Sequence, residues 1–86
     1  MTKHKLKIWP EFFEDVRSGA KKYEIRKNDR GFKIDDELIL QEWSPHTAKY
    51  SGQSCVAKVV YITYGSDVPN SVMGADLCVM GIEVIA

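Results

Sequence analysis

Three charged side chains in the first third of the chain stand at a spacing that suits recognition of a polar ligand. They are Lys21, Glu24 and Arg26, within the segment Gly-Ala-Lys-Lys-Tyr-Glu-Ile-Arg that begins at Gly19. If this segment is a strand, Glu24 and Arg26 lie two residues apart and therefore on one face. Arginine presents a planar fork of donors that suits a phosphate or a base edge, and glutamate accepts from an exocyclic amine. The segment predicts either a ligand site of this chemistry or a structural ion pair that joins the strand to a neighbour.

The charges of the chain are unevenly distributed, although its formal net charge is zero. Residues 1–33 contain ten Lys and Arg against five Asp and Glu, which makes this part +5, and the remainder has two against seven, which makes it −5. A positive patch on a neutral protein attracts phosphates, because the local potential and not the total charge acts on a ligand. The alternative is that these charges are separate and solvated once the chain has folded.

The sequence offers few residues for other kinds of chemistry. Cys55 and Cys78 have no metal-ligand spacing around them and are expected to be free, buried thiols in a reducing cytoplasm. His4 and His46 are expected to be solvated, and no Ser or Cys stands beside a His in a recognisable nucleophile motif. The sequence has no Gly-rich phosphate loop and no apolar run of membrane-spanning length. We therefore expect a cytoplasmic protein with no metal, no cofactor and no membrane partner.

The periodicity of apolar residues predicts one small domain, residues 1–86, built mainly from strands. Alternating or Val/Ile/Tyr-rich segments indicate strands at residues 5–9, 21–27, 36–43, 54–64 and 77–85. Pro10 and Gly19 bound a short amphipathic helix over residues 10–18, whose Phe12, Phe13 and Val16 are expected to face the core. Turn residues predict loops at residues 44–52 and 65–76, and Gly81 is a candidate bulge.

Strands joined by one small helix favour a closed antiparallel sheet. A flat open sheet of this size would expose two edges and lack a second layer. We therefore predict a mainly β domain of the α+β class, a five- to six-stranded, mostly antiparallel β-barrel with one or two short helices, one of them beside the barrel mouth. The pattern leaves open which face of strand 21–27 points inward, the one with Tyr23 and Ile25 or the one with Lys22, Glu24 and Arg26.

The segment from Gly19 fits the pattern G-x-K-x-x-E-x-R, and its flanks follow a recognisable order. An apolar strand, Trp9-Pro10 and a Phe-rich helix precede it, and Phe-Lys-Ile-Asp-Asp-Glu-Leu at residues 32–38 leads into the next strand. Over essentially the whole chain this order resembles the ASCH superfamily, a branch of the PUA-like barrels, in a short single-domain subgroup without a settled function. The family usually has Gly before Asp in the last element, and Asp35 takes that place here.

The resemblance implies an RNA- or modified-nucleoside-binding module with its site in a cleft between barrel and helix. Gly19 is then a structural residue of the motif, which frees the backbone to turn from helix to strand. Trp43 and Tyr50, which bracket the first predicted loop, offer stacking faces for bases. The expected ligand-binding residues are Lys21, Lys22, Glu24, Arg26, Trp43 and Tyr50.

A first alternative is an amidohydrolase that acts on acylated nucleosides. Some ASCH-like proteins hydrolyse the amide of acetylated cytidine with an adjacent Lys and Thr and a distant Glu. Lys21 matches the Lys, but Lys22 stands at the Thr position and has no hydroxyl nucleophile. A desolvated Lys21 acting as base or nucleophile, with Glu24 shuttling protons, is the catalytic arrangement that remains. We expect binding rather than catalysis.

A second alternative is a protein-interaction module of the phage or mobile-element type. Small neutral domains of this kind often act by capping a host protein. An exposed apolar patch in the loop at residues 65–76 would suit a protein partner. Its residues are Val68, Pro69, Val72 and Met73. The alternative, which we favour, is that these residues pack under the barrel and close its end.

Overall fold

The computed structural model describes residues 1–68 and 72–86, which form a curled five-stranded half-barrel sheet and one short α-helix. The elements are β1 (Lys3–Ile8), α1 (Pro10–Arg17), β2 (Tyr23–Lys27), β3 (Glu37–Ser44), β4 (Lys49–Tyr64), a 3-10 turn (Gly65–Asp67) and β5 (Leu77–Val84). The predicted mainly β domain with a short helix is therefore confirmed.

The order of the strands in the sheet is β1-β3-β4-β5-β2. β1 pairs with β3 in parallel, and the other three pairings of the described sheet are antiparallel. The expectation of a mostly antiparallel sheet is thus met, and the parallel pair arises because α1 and β2 separate β1 from β3 along the chain. β1 and β2 are the two edges of the sheet, so any site between them draws on residues far apart in the strand order.

The core lies on the concave side of the sheet, where α1 covers it. Every second residue is buried in β1, in β5 as far as Ile82, at residues 38–40 of β3 and at residues 55–59 of β4, as expected for strands with one covered face. The helix contributes Phe13 and Val16, which are fully buried, whereas Phe12 faces outward, contrary to expectation. Cys55 and Cys78 are free and buried, as predicted.

The largest departure from the predicted boundaries is at the start of β4. β4 begins at Lys49, so the expected loop at residues 44–52 shrinks to a four-residue turn at residues 45–48 between paired strands. The register also shifts between Val59 and Tyr61, so the irregularity predicted at Gly81 lies on β4, with Gly81 opposite it. Irregular strand positions such as Gly52, whose φ is +92°, made this part of β4 look like a loop in the sequence.

A buried polar pair connects the start of β1 to the turn before β3. His4, expected to be solvated, is buried, and its Nε2–H donates to the Asp36 carboxylate at 2.9 Å. The backbone N–H groups of Thr2 and Lys33 donate to the same carboxylate at 3.1 and 3.0 Å. Burial alone would raise the pKa of Asp36, but the hydrogen bonds from His4 and the two backbone groups outweigh it and hold the pKa below the ordinary 3.8.

We expect Asp36→Asn to lower the free energy of unfolding at neutral pH by about 1–3 kcal/mol, because one amide oxygen cannot replace a carboxylate that accepts three hydrogen bonds. The pKa of Asp36 is depressed in the folded state. The carboxylate's contribution is therefore complete above the ordinary 3.8 and is lost as the pH falls through the lower folded-state pKa. Urea unfolding of both proteins, at neutral pH and at a series of pH values below 3.8, measures the difference.

Asp35→Asn is the matched control for this measurement. Asp35 is exposed, its carboxylate lies 3.4 Å from Lys58 Nζ, and its φ is +76°, a conformation that asparagine tolerates. This neighbouring substitution should leave stability nearly unchanged at every pH. An Asp36→Asn deficit that stays constant down to the lowest pH would show that the carboxylate's charge is not what stabilises the fold.

Candidate functional site

An open cleft of about 400 Å³ lies where the two edge strands approach each other beneath α1. It is lined by the end of β1, the first turn of the helix and the edge strand β2. The lining residues are Lys7, Ile8, Trp9, Phe12, Lys21, Tyr23, Glu24, Ile25 and Arg26. This is the gap that a fully closed barrel would fill with strand pairing, so the cleft follows directly from the incomplete closure of the sheet.

The floor of the cleft is a three-residue ion cluster. Glu24 is only 4% exposed, and its two carboxylate oxygens accept from Lys21 Nζ at 2.7 Å and from Arg26 Nε at 2.9 Å. The charged face of β2 therefore points inward, while Tyr23 and Ile25 are exposed. A buried carboxylate requires such partners, because leaving it unpaired costs several kcal/mol.

Arginine side chains span the opening between the two edges of the sheet. Arg26 Nη2 donates to the carbonyl oxygen of Lys7 at 2.8 Å, and Arg30 Nη1 donates to that of Lys5 at 3.0 Å. These carbonyls belong to the unpaired edge of β1 and would otherwise need a strand or water as partner. Arg26 therefore both compensates Glu24 and ties β2 to β1.

The walls of the cleft are aromatic and open to solvent. Trp9 is 49% exposed and Phe12 45%, and their rings are stacked with centroids 6.5 Å apart and an angle of 17° between the planes. Tyr23 is 48% exposed on β2, with Lys21 Nζ at 4.6 Å from its ring centroid. Exposed aromatic faces above a polar floor suit a flat ligand with a polar edge.

The local sequence explains why these side chains meet. Pro10 begins α1 at a position where its missing N–H is not needed, and Trp9, still extended, is the N-cap residue between β1 and the helix. Gly19 has φ +86°, the left-handed conformation predicted for the end of the helix. The chain then reverses, and the backbone N–H of Lys21 donates to the Asp15 carbonyl at 2.9 Å. The start of α1 therefore places Trp9 and Phe12 at the cleft, and the turn after α1 places Lys21 there.

Three of the six expected ligand residues meet in this cleft, and three lie elsewhere. Lys21, Glu24 and Arg26 form its floor. Lys22 is exposed and lines a different groove beside β5, with its backbone carbonyl accepting from Ile82.

Trp43 and Tyr50 face each other across the β3–β4 hairpin. The ammonium group of Lys7 lies near both rings, 4.4 Å from the Trp43 centroid and 5.9 Å from the Tyr50 centroid. Lys7 also lines the cleft, so this aromatic pair borders the same region of the surface.

Sequence reasoning missed part of the cleft wall. Trp9 is one of several aromatic residues that could stack on a base, but the sequence favours Trp43 and Tyr50 for that role and places Phe12 in the core. The available signal was the spacing of three between Trp9 and Phe12 at a helix start, which puts both rings on one side. Lys7 appeared only as a polar residue of an alternating strand.

Other chemistry finds little support in the structure. Among residues 1–68 and 72–86, no three His, Cys, Asp or Glu side chains are grouped as metal ligands would be. Burial raises the pKa of the Cys55 and Cys78 thiols, which makes both poor nucleophiles. In the same part of the chain, no helix has the length and apolar character needed to cross a membrane.

The apolar patch expected at residues 65–76 is only partly described. Val68 and Met73 are half-buried and line a shallow groove, and Val72 is exposed. Pro69, the fourth expected member, lies outside the described residues.

Residues 3–82 match the DUF3850 family, a domain of unknown function, and the chain therefore belongs to this family. A 64-residue stretch is 34% identical to the uncharacterized 12.9 kDa protein in the GpA 3′ region of Escherichia phage P2; it covers 74% of this chain and 57% of that relative. The chain thus spans little more than half the length of this curated relative. The fold is similar to the crystal structure of hypothetical protein PH0355, with a TM-score of 0.64 and 20% identity over 98% of this chain and 100% of the other.

We expect Glu24→Gln to destabilise the protein by about 2–4 kcal/mol, because it leaves two partly buried cations without their counter-charge. Glu14→Gln is the matched control, since Glu14 pairs with Arg17 at 2.6 Å but on an exposed helix face. That substitution should cost less than about 0.5 kcal/mol. Urea unfolding of the two variants makes the comparison, and equal small effects would show that the Glu24 cluster does not hold the sheet edges together.

Proposed function

We propose that this chain is a PUA-like domain of the ASCH type and that its cleft binds a base of RNA or a modified nucleoside. The observation that carries the proposal is the position of the buried Glu24 carboxylate, held by Lys21 and Arg26, directly beneath exposed aromatic rings. The curled sheet and the likeness in fold to PH0355 support a barrel-like domain, and the motif supports the narrower assignment.

The chemistry of the floor suits a base edge. Each Glu24 carboxylate oxygen has a second acceptor site besides the one that Lys21 or Arg26 uses, which suits an exocyclic amine, and Lys21 and Arg26 supply donors for a ring nitrogen or carbonyl oxygen. Arg26 uses Nε and Nη2 in its contacts with Glu24 and Lys7, and Nη1 makes no hydrogen bond to the described residues. A donor directed from a fixed guanidinium is a preorganised contact for a polar ligand.

The walls suit the flat face of the same ligand. Stacking on aromatic side chains contributes about 1–3 kcal/mol per base and accepts any base. Trp9 and Phe12 offer such faces from the helix side, and Tyr23 offers one from β2. The volume of about 400 Å³ lies within the roughly 300–1,000 Å³ of small-molecule sites.

The geometry favours binding over amide hydrolysis. Lys21 Nζ donates to the Glu24 carboxylate at 2.7 Å and to the Tyr23 carbonyl at 2.8 Å, which is the arrangement of an ammonium donor rather than of a free amine nucleophile. Lys22, at the position of the family's Thr, lines another groove. A ligand-orienting role therefore fits Lys21 better than a nucleophilic one.

We expect titration with a panel of natural and modified nucleosides and short single-stranded RNAs to shift the backbone amide resonances of Lys21, Glu24 and Arg26 and the indole resonance of Trp9. Phe12→Ala should weaken the best ligand by about 5- to 150-fold, the loss of about 1–3 kcal/mol of stacking. The Trp43→Phe variant leaves Trp9 as the single tryptophan of the chain, so its fluorescence reports occupation of the cleft.

Tyr61→Ala is the matched control, because Tyr61 is an exposed aromatic residue on β4 that does not line the cleft. The Tyr61→Ala variant should bind the same ligand with the affinity of the unmodified protein. Equal losses in the two variants would point to a non-specific surface. No shift at the cleft with any ligand of the panel would refute the proposal.

A further inference from the structure

We propose that a second groove beside the cleft binds the phosphate of the same ligand, so that the chain takes a nucleotide within a single RNA strand rather than a free nucleoside. This inference rests on the proposed function of the cleft. The groove has a volume of about 570 Å³ and shares Lys7 and Arg26 with the cleft. It is lined by residues of β1, β2, β3 and β4 and by the turn after β2.

The charge of this phosphate groove has one sign. Lys5, Lys7, Arg26 and Arg30 line it, with no Asp or Glu among the lining residues. Among the described residues, the ion pairs of these four are limited to Arg26 with Glu24. Four of the ten basic residues in the N-terminal part of the sequence therefore lie together beside the cleft. Such a cluster of positive charge is what an anion site requires.

The two arginines of the groove are held in place by backbone contacts. Arg30 Nη1 donates to the Lys5 carbonyl at 3.0 Å, and Arg26 Nη2 donates to the Lys7 carbonyl at 2.8 Å. Each guanidinium has five N–H donors, so these bonds orient the fork and leave other donors for a phosphate oxygen. A phosphate in this groove would lie between Arg26 and Arg30, each of which is hydrogen-bonded to a backbone carbonyl on the edge of β1.

The far side of the groove provides a surface for a neighbouring base. Tyr50 lines the groove and is exposed, and it pairs across the hairpin with Trp43. Lys7 lies close to both rings and borders cleft and groove alike. Base site, phosphate site and second aromatic surface therefore adjoin one another, as a base, its phosphate and the next base of a single-stranded RNA would require.

The test compares one nucleoside from the panel, its 5′- and 3′-monophosphates, a trinucleotide that contains it, and inorganic phosphate. We expect one of the monophosphates to bind roughly tenfold or more tightly than the nucleoside, because charge-assisted hydrogen bonds to arginine add to the contacts in the cleft. The affinity of the trinucleotide should fall with salt at a slope of about −0.7 per neutralised phosphate. Amide shifts should extend to Lys5, Arg30 and Tyr50 only with the phosphate-bearing ligands.

Arg30→Ala should remove the advantage of the monophosphate while the nucleoside keeps its affinity, which also shows that the variant is folded. Lys58→Ala is the control, because Lys58 is a basic residue of β4 that lines neither cavity. If the nucleoside binds but phosphate adds nothing, this inference fails and the proposed function stands. If the trinucleotide shifts only the groove and the nucleoside shifts nothing, the base-binding proposal fails and an anion site remains. If no ligand shifts the amide resonances of either the cleft or the phosphate groove, both this inference and the proposed function are overturned.

Discussion

The architecture of the cleft depends on the ion pairs that the buried Glu24 carboxylate forms with Lys21 and Arg26. A carboxylate removed from water needs cations and hydrogen bonds around it, and Lys21 and Arg26 supply both. Arg26 also donates to the Lys7 carbonyl on the opposite edge of the sheet. β1 and β2 are not paired as strands. They are joined by the Arg26 side chain, which is held by the Glu24 carboxylate and donates to the Lys7 carbonyl. The sheet is therefore a half-barrel, and the opening between its two edges has charged side chains at its floor. In a closed barrel, a continuous ladder of backbone hydrogen bonds would occupy this position.

That opening divides the residues of α1 between two environments. Phe13 and Val16 cover the core, and Phe12 turns toward the cleft beside Trp9. A helix over a fully closed apolar barrel would keep one continuous buried stripe. Here the sheet is not closed beside the helix, so the aromatic rings stay half-exposed. The same short helix thus closes the core and forms a wall of the candidate site, and the stability of the fold and the shape of the cleft are linked through it.

The sequence predicted the local features and left the non-local ones open. Pro10, Gly19 and the alternating segments are local signals, and the helix and strands follow them except at the start of β4. The inward face of β2 was not predictable, since alternation has the same period whichever face is buried. The His4–Asp36 pair joins residues 32 apart and has no sequence signature. Lys21, Glu24 and Arg26 were identified through their motif, whereas Trp9 and Phe12 belong to the cleft only because incomplete closure of the sheet leaves them uncovered.

An ion pair that holds the fold and a site that binds a ligand are compatible roles for Glu24 and its partners. The cluster carries two positive charges against one negative, so compensating Glu24 still leaves an excess of donors at the floor of the cleft. Because the cations are fixed by the carboxylate and by backbone carbonyls, they need little reorganisation when a ligand arrives. The excess continues along β1 through Lys7 and Lys5 to Arg30, away from the aromatic walls. The proposed nucleotide, flat and neutral at one end and anionic at the other, would satisfy both regions.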